Sequence, residues 1–139
     1  MVLASLAFRP ADATLVVEVH VTVRVLIVDD QEPFRMAARM VVEATEGFEV
    51  VGEAENGVSA LRAAKELHPD LVLLDVQLPD FDGFEVAARL AQANGGSPDI
   101  VLTSSRDASD FGPLIAQSGA RGFVPKAELS GGALATLIS

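Results

Sequence analysis

The sequence predicts an α/β protein built on a parallel sheet with helices on both of its faces. Short apolar runs rich in β-branched residues alternate five times with segments in which apolar residues recur at helical spacing. This alternation of strands and helices is typical of parallel sheets. Half of the 139 residues are apolar and 22% are charged, so the chain has the length and composition of one globular domain.

Five short apolar runs are predicted as strands. The first and third runs are continuously apolar, which indicates strands buried in the sheet, the first of them on both faces. The runs are residues 25–28, 48–52, 71–74, 100–102 and 122–124.

Helices are predicted between these strands. The first holds Pro33 in its opening turn, where proline is tolerated, and should end at Gly47. The second should stop at His68, which precedes a proline. The fourth should begin near Pro113 and be short, because proline inside a helix costs about 3 kcal/mol. Residues 130–139 are predicted as the last helix.

Residues 1–22 lie outside this pattern. Valines at alternate positions from Val17 to Val25 indicate a half-exposed strand. Joined to the first predicted strand, it would run from about residue 15 to residue 28, too long for a normal sheet at about 3.3 Å per residue. Such a strand would protrude, or pair with another chain, or precede the natural start. We therefore divide the chain into an N-terminal extension, 1–22, and a domain, 23–139, and expect the extension to be dispensable.

Composition excludes several classes of function. A net charge of −10 argues against direct binding to nucleic acid, because phosphates would be repelled. No apolar run approaches the roughly 18 residues that a membrane span needs, so no membrane insertion is expected. The absence of cysteine excludes disulfides, thiolate zinc sites and cysteine nucleophiles. It also fits a reducing cytoplasm, which is the predicted location.

Polar side chains stand at the carboxyl ends of four predicted strands. Asp29 and Asp30 follow the first strand, and Asp75 follows the third. Ser104 follows the fourth and Lys126 the fifth. In a parallel sheet these ends share one edge, where open α/β folds bind their ligands. A single loop aspartate is usually a turn or cap residue, but polar groups at four strand ends favour a common site.

This set of groups suits phosphoryl chemistry. Clustered carboxylates repel one another, and a hard cation with oxygen ligands, such as Mg²⁺, relieves the repulsion. A cation and an ammonium neutralise charge on phosphoryl oxygens while a hydroxyl donates to another oxygen. A carboxylate can itself be the nucleophile and form an acyl phosphate. The sequence therefore predicts a phosphoryl site that binds magnesium.

In four motifs the sequence resembles the receiver domains of two-component response regulators. The motifs are Val-Asp-Asp at 28–30, Leu-Leu-Asp-Val-Gln-Leu-Pro-Asp-Phe-Asp-Gly at 73–83, Thr-Ser-Ser at 103–105 and Gly-Ala-Arg-Gly-Phe-Val-Pro-Lys at 119–126. The resemblance runs from about residue 23 to the C-terminus. It implies a flavodoxin-like (βα)5 fold, a doubly wound five-stranded parallel sheet with strand order 2-1-3-4-5.

The resemblance also implies a role for each residue of the phosphoryl site. Asp75 matches the phosphoacceptor, Lys126 the lysine and Ser104 the hydroxyl that contact the phosphoryl group. Thr103 is a nearby alternative to Ser104. Phe123 matches an aromatic switch position, although an ordinary core aromatic is an equally simple interpretation.

The implied cofactor is Mg²⁺. By the resemblance, Asp30 binds it directly, Asp29 binds it through water, and Asp75 and the backbone carbonyl of Gln77 complete the protein ligands. The implied donor is a sensor histidine kinase. A homodimer or an output protein is expected to use the face formed by the fourth helix, fifth strand and fifth helix. The chain is thus expected to be a signalling phosphoacceptor and not an enzyme.

Two features depart from the family pattern. The lysine is normally followed by proline, often after a cis bond, whereas here Pro125 precedes Lys126 and Ala127 follows it. A cis Lys126–Ala127 bond would cost about 3 kcal/mol, so the geometry of this loop is left open. Gly112 and Pro113 fall in the fourth helix, so the output surface is expected to be unusual.

Two other functions share part of this pattern. A metal-dependent phosphatase of the haloacid dehalogenase type also uses an aspartyl nucleophile, but it needs a second aspartate two residues later, where this chain has Gln77. The other is an interaction module of receiver type that is never phosphorylated, against which the complete set of pocket residues argues.

Overall fold

The structure is a computed structural model that describes residues 3–9, 14–20, 22–93 and 96–139, with side chains from residue 22 onward. Its strands are β1 (Leu3–Arg9), β2 (Thr14–His20), β3 (Val23–Val28), β4 (Phe48–Ala54), β5 (Leu71–Asp75), β6 (Asp99–Ser104) and β7 (Gly122–Pro125). Its α-helices are α1 (Glu32–Glu43), α2 (Gly57–Leu67), α3 (Gly83–Ala91), α4 (Leu114–Gln117) and α5 (Gly131–Ile138).

Five of the strands form one parallel sheet in the order β4-β3-β5-β6-β7. Counted within this sheet, the order is 2-1-3-4-5, which confirms the predicted flavodoxin-like topology. The order reverses between β3 and β5, so the ends of these two strands flank the crevice in which such folds bind ligands.

The three central strands, β3, β5 and β6, are buried on both faces because they are almost wholly apolar, whereas the edge strands β4 and β7 are partly exposed. Alternate residues such as Leu26 and Leu74 pack with α2 and α3 on one face. Their neighbours Ile27 and Leu73 pack with α1 and α5 on the other. This alternation fixes which side chains at the strand ends lie on which side of the sheet.

Helix boundaries follow the local sequence. Pro33 lies in the first turn of α1, as expected. The helix ends at Glu43 and not at Gly47, which instead has a φ of 84° and turns the chain directly into β4. Asn56 begins α2 by accepting a hydrogen bond from the Ser59 amide, and the Ser59 hydroxyl lies within bonding distance of the Asn56 amide.

The segment between β6 and β7 contains little helix. A 3₁₀ turn spans Ala108–Phe111, and α4 then has only four residues. Pro113 directly precedes α4, which confirms the prediction that the fourth helix is short and begins there. Gly112 has a φ of 55° and separates the two pieces.

The loop after β7 departs from the usual cis geometry. The Lys126–Ala127 bond is trans, as are all the peptide bonds that the structure describes, and Lys126 opens a short 3₁₀ turn, Lys126–Glu128. Ser130 caps α5 by accepting a hydrogen bond from the Ala133 amide. The last helix therefore begins one residue later than predicted.

The N-terminal residues form a separate unit of sheet. β1 and β2 pair antiparallel, with Leu3 opposite His20 and Arg9 opposite Thr14. The idea of one continuous strand from residue 15 to 28 is wrong, because β2 ends at His20 and β3 begins at Val23 in a different sheet. The division at residue 22 stays a prediction. Across the described ranges, no helix has the length and apolar character needed to cross a bilayer.

Gly83 is the tightest point of the loop that follows β5. Its amide donates to the Val76 carbonyl at 2.6 Å, so the start of α3 presses against the end of the strand. A Cβ at this position would lie 2.7 Å from the Val76 Cα and would overlap the Asp75 carbonyl oxygen. Only glycine fits here without moving the backbone that carries Asp75.

We predict that Gly83→Ala lowers the free energy of unfolding by about 1–3 kcal/mol, because the added methyl group would meet backbone atoms that cannot rotate away. Urea denaturation measures the change. Gly132→Ala is the matched control, because its Cβ would meet only the Ser130 hydroxyl, at 4.0 Å. In an exposed helical turn that change should raise stability by up to about 1 kcal/mol. Equal stability of Gly83→Ala and the unmodified protein would contradict the packing argument.

Candidate functional site

Three carboxylates meet at the carboxyl edge of the sheet, beside the point of reversal. Asp29 directly follows β3, and Asp75 ends β5; both are buried. Asp30 is exposed at the rim. One oxygen from each carboxylate lies within 4.8 Å of the others. The structure thus brings together the three aspartates that the sequence placed at strand ends.

Lys126 extends from the end of β7 into this cluster. Its Nζ lies 2.6 Å from Asp29 Oδ2 and 3.3 Å from Asp75 Oδ2. The lysine side chain is only 14% exposed, so these ion pairs are largely shielded from water. The second Asp75 oxygen, Oδ1, accepts a hydrogen bond of 3.0 Å from the Gln77 amide.

The electrostatics of the cluster are dominated by burial. Burial raises the pKa of Asp75 to about 6, with a further rise from the charge of Asp29, and these effects outweigh the Gln77 amide and Lys126. Burial alone would lower the pKa of Lys126, but Asp29 and Asp75 together raise it. The lysine therefore stays charged, and one positive charge faces three carboxylates.

The site fits a hard divalent cation. Asp29 Oδ2 is buried and forms an ion pair with the Lys126 ammonium at 2.6 Å, without a hydrogen bond of good geometry. Excess negative charge and an all-oxygen donor set are the conditions that favour Mg²⁺. Asp29, Asp30 and Asp75 are the carboxylates that would hold it, with Gln77 two residues beyond Asp75.

Two hydroxyls stand at the end of β6, and both are buried. Ser104 Oγ accepts a hydrogen bond from the Arg106 amide at 3.0 Å. Thr103 Oγ1 has no hydrogen-bond partner. Leu102 packs in the cluster on the α2 and α3 face together with Phe123, and by alternation Ser104 continues that face. Ser104 is therefore the hydroxyl on the same side of the sheet as the predicted switch residue.

Phe123 is part of a row of three phenylalanine rings in edge-on and tilted contact, which we call the aromatic stack and which sequence reasoning missed. Its ring centroid lies 5.8 Å from that of Phe111, which in turn lies 5.8 Å from Phe84 in α3. Phe111 closes the 3₁₀ turn after β6. The signal available in the sequence was a lone aromatic residue in an otherwise polar segment.

Three further residues that were not predicted support the site. Arg35 donates to the Asp29 carbonyl at 2.8 Å and pairs with Glu53 at 3.1 Å, so it ties the loop after β3 to β4. Desolvation raises the pKa of Asp80, but the hydrogen bonds that it accepts from the amides of Gly57, Val58 and Phe81 together outweigh this effect and lower the pKa.

A third residue, Phe34 in α1, lies close to the lysine. The Lys126 ammonium lies 4.6 Å from the centroid of the Phe34 ring. Nothing in the spacing of the sequence distinguishes this aromatic residue from a core residue of α1.

A cavity lies at the other end of the sheet. Its volume is about 640 Å³, and its lining includes His68, Pro69 and Asp99. These residues precede β5 or open β6, so the cavity faces the amino ends of the strands. It contains none of the three clustered aspartates, and the chemistry is at the opposite edge.

Comparisons with known proteins identify the family to which the chain is related. The family described as the response regulator receiver domain matches residues 25–137. A putative transcriptional regulator of Pseudomonas aeruginosa is 46% identical over 105 residues, which are 76% of this chain and 50% of that protein. The regulator BvgA of Bordetella pertussis is 44% identical over 105 residues, with coverage of 76% and 49%. The chain spans about half the length of these curated relatives.

Among solved structures, the chain is similar to the signal receiver domain of the putative response regulator NarL from Mycobacterium tuberculosis. Identity is 31%, the TM-score is 0.73, and the match covers 84% of this chain and 97% of that one. With a family match over most of its length and a shared sheet topology, this chain belongs to the response regulator receiver domain family.

Proposed function

We propose that this chain is a magnesium-dependent phosphoacceptor that receives a phosphoryl group on Asp75 from a sensor histidine kinase. The observation that supports it most is the position of Asp75. Its carboxylate is buried at the edge of the sheet, within reach of two further carboxylates and one ammonium. This is a site built to hold a dense cluster of negative charge in place.

The proposed step is a transfer from nitrogen to oxygen. An Asp75 carboxylate oxygen attacks the phosphorus of a phosphohistidine, so an O–P bond forms while the P–N bond breaks. The electron pair of the broken bond stays on the imidazole nitrogen, which takes up a proton from solvent. The product is an acyl phosphate on Asp75, which water slowly hydrolyses to free the carboxylate.

The groups around Asp75 have different proposed roles in the transfer. When bound, Mg²⁺ supplies positive charge that neutralises phosphoryl oxygens. Lys126 is held beside Asp75 and offers its ammonium to an oxygen of the incoming group. The Gln77 amide fixes Asp75 Oδ1, which keeps the nucleophile in one orientation. Ser104 is the hydroxyl proposed to donate to the phosphoryl group.

The phosphatase alternative is less well supported. It requires an acid group two residues after the nucleophile, and Gln77 has an exposed amide side chain that does not ionise. Buried carboxylates cost stability, and a receiver-type module that is never phosphorylated would gain nothing in return for this cluster.

Asp75 is predicted to be the preferred acceptor. Incubated with a small phosphodonor and magnesium, the protein should gain the mass of one phosphoryl group, and Asp75→Asn should lose this gain because an amide is not a nucleophile of this kind. Intact-mass spectrometry measures both. Asp107→Asn, an exposed carboxylate in the loop after β6, is the matched control and should label normally. Equal labelling of Asp75→Asn and the unmodified protein would show that Asp75 is not the phosphoacceptor.

Magnesium is predicted to stabilise the folded protein through the same carboxylates. At ten times its dissociation constant it should add about 1.4 kcal/mol, which raises the melting temperature by about 5 °C. Asp30→Asn should raise the melting temperature of the metal-free protein, because one of three like charges is removed, and should abolish most of the magnesium response. Thermal denaturation with and without magnesium tests both effects.

Glu55→Gln is the control for the magnesium experiment. Glu55 follows β4 at the same edge of the sheet but is outside the carboxylate cluster, so this variant should respond to magnesium as the unmodified protein does. A melting temperature of the unmodified protein that is indifferent to magnesium would contradict the proposed metal site.

We further propose that phosphorylation is read out through Ser104 and the aromatic stack. A phosphoryl group on Asp75 would draw the Ser104 hydroxyl into a charge-assisted hydrogen bond. That movement pulls on the Arg106 amide, which bonds to Ser104, and so on the segment that carries Phe111. Phe111 and Phe123 touch, so the displacement reaches β7 and the face formed by α4, β7 and α5. A second copy or an output protein would bind there.

Hydrogen exchange with and without beryllofluoride, a mimic of the phosphoryl group, tests this coupling. Protection should change between residues 104 and 126, most of all in residues 105–112, since they lie between Ser104 and the aromatic stack. Ser104→Ala should lose the change, whereas Thr103→Val, which removes the neighbouring hydroxyl at constant shape, should keep it. If protection changed nowhere between residues 104 and 126, or if Thr103→Val alone abolished the change, the route through Ser104 would be wrong.

A further inference from the structure

We propose that Phe34 is a positioning residue for phosphoryl transfer, because the face of its ring holds the Lys126 ammonium beside Asp75. The inference rests on the proposed function, since it concerns how the lysine of that site is held. It adds a residue of α1 to a site otherwise built from strand ends.

The surroundings of the ammonium show why the ring matters. Asp29 Oδ2 lies at 2.6 Å, Asp75 Oδ2 at 3.3 Å and Gln31 Oε1 at 3.5 Å from Nζ. Two of these acceptors, Asp29 and Gln31, lie on the loop after β3, and the third, Asp75, ends β5. The Phe34 ring, with its centroid 4.6 Å away, supplies a further attractive surface. An aromatic face attracts a cation, and the attraction strengthens when water is excluded, as it largely is here.

The lysine needs this restraint because its side chain is long and its strongest partner is not the reactive group. Nζ is closer to Asp29 than to Asp75, so ion pairing alone draws the amine toward Asp29 and away from the proposed phosphoacceptor. When the phosphoryl group arrives, the ammonium must release a carboxylate and take a phosphoryl oxygen. The ring bonds to neither anion, so it keeps the amine in the pocket during this exchange of partners.

The position of Phe34 in the fold is consistent with this role. Phe34 packs against the cluster of buried residues on the α1 and α5 face, and the next residue in the helix, Arg35, bonds to the Asp29 carbonyl. The ring is therefore anchored to the same loop that carries Asp29. A plain core aromatic would need only the packing, whereas this one also presents its face to a cation.

The first test observes the contact itself. In NMR spectra of the unmodified protein, the ε-methylene protons of Lys126 should be shifted upfield by the ring. The shift should disappear in Phe34→Leu, which keeps an apolar side chain without a ring, and persist in Phe34→Tyr. An unshifted Lys126 signal in the unmodified protein would overturn the inference.

The second test measures its consequence. With a small phosphodonor and magnesium, Phe34→Leu should label Asp75 about fivefold more slowly, the factor that corresponds to about 1 kcal/mol. Phe34→Tyr should restore the rate. Chemical denaturation of each variant separates a loss of stability from a loss of rate, because a purely structural role would lower the first and leave the rate of the folded protein unchanged.

A double-mutant cycle shows whether the ring acts through the lysine. In a Lys126→Met background, Phe34→Leu should have no further effect on the labelling rate, since the cation is gone. An additive fivefold loss there would overturn the inference. The unmodified protein and Asp75→Asn are run in the same assay: failure to label Asp75 would refute the proposed function, whereas normal labelling with an unchanged rate in Phe34→Leu would refute only the role of Phe34.

Discussion

The crowding of like charge at the carboxyl edge of the sheet is the constraint on which the rest of the structure depends. Two carboxylates are buried there and a third stands at the rim, while one ammonium faces them. Isolated buried charges are costly, so each of these groups must be held by several partners. The surrounding loops supply them: the Gln77 amide bonds to Asp75, the Gln31 amide to Asp29, and Lys126 to both aspartates.

Those partners come from different strands, which is why the fold and the site are inseparable. The order of the sheet puts β3 and β5 next to each other and β7 at one edge, with β5 and β6 between it and β3. Lys126 crosses that distance with its side chain and is met by Gln31 and Phe34 from the start of α1. The long side chain of Lys126 is flexible, so the position of its amine beside the aspartates depends on the side chains that it contacts.

Much of the fold could be predicted from the sequence because a strand buried on both faces appears as a run of consecutive apolar residues. The five apolar runs and the start of the fourth helix at Pro113 followed from patterns in which each residue acts locally. The end of α1 did not follow, because Gly47 serves the turn into β4 and the helix stops four residues earlier, at Glu43. The N-terminal strand was also misjudged: its alternation signalled a strand, but its partner, β1, is set by pairing that periodicity does not reveal.

The same division holds for the site. Strand ends could be predicted to converge, so Asp29, Asp30, Asp75 and Lys126 were found from the sequence. Phe34 and Phe111 were not, because their contacts depend on the angle at which a helix or a turn packs, and a sequence does not distinguish them from other core aromatic residues. Carboxylate and ammonium groups can be recognised in a sequence by residue type. An aromatic side chain that matters because of what it contacts can be recognised only in a structure.

The aromatic stack also bounds how strongly the proposed switch can act. Phe123 has no hydroxyl, so neither of two ring positions gains a hydrogen bond, and their difference comes from burial and ring contact alone. Full burial of such a ring is worth about 1.5–3 kcal/mol, and an aromatic pair adds about 0.5–1.5 kcal/mol. The ring is already half-buried against Phe111, so the difference between positions is a fraction of these values. A gap of this size leaves a minor state populated at the level of per cent, which implies that phosphorylation would enlarge an existing population and not create a new one.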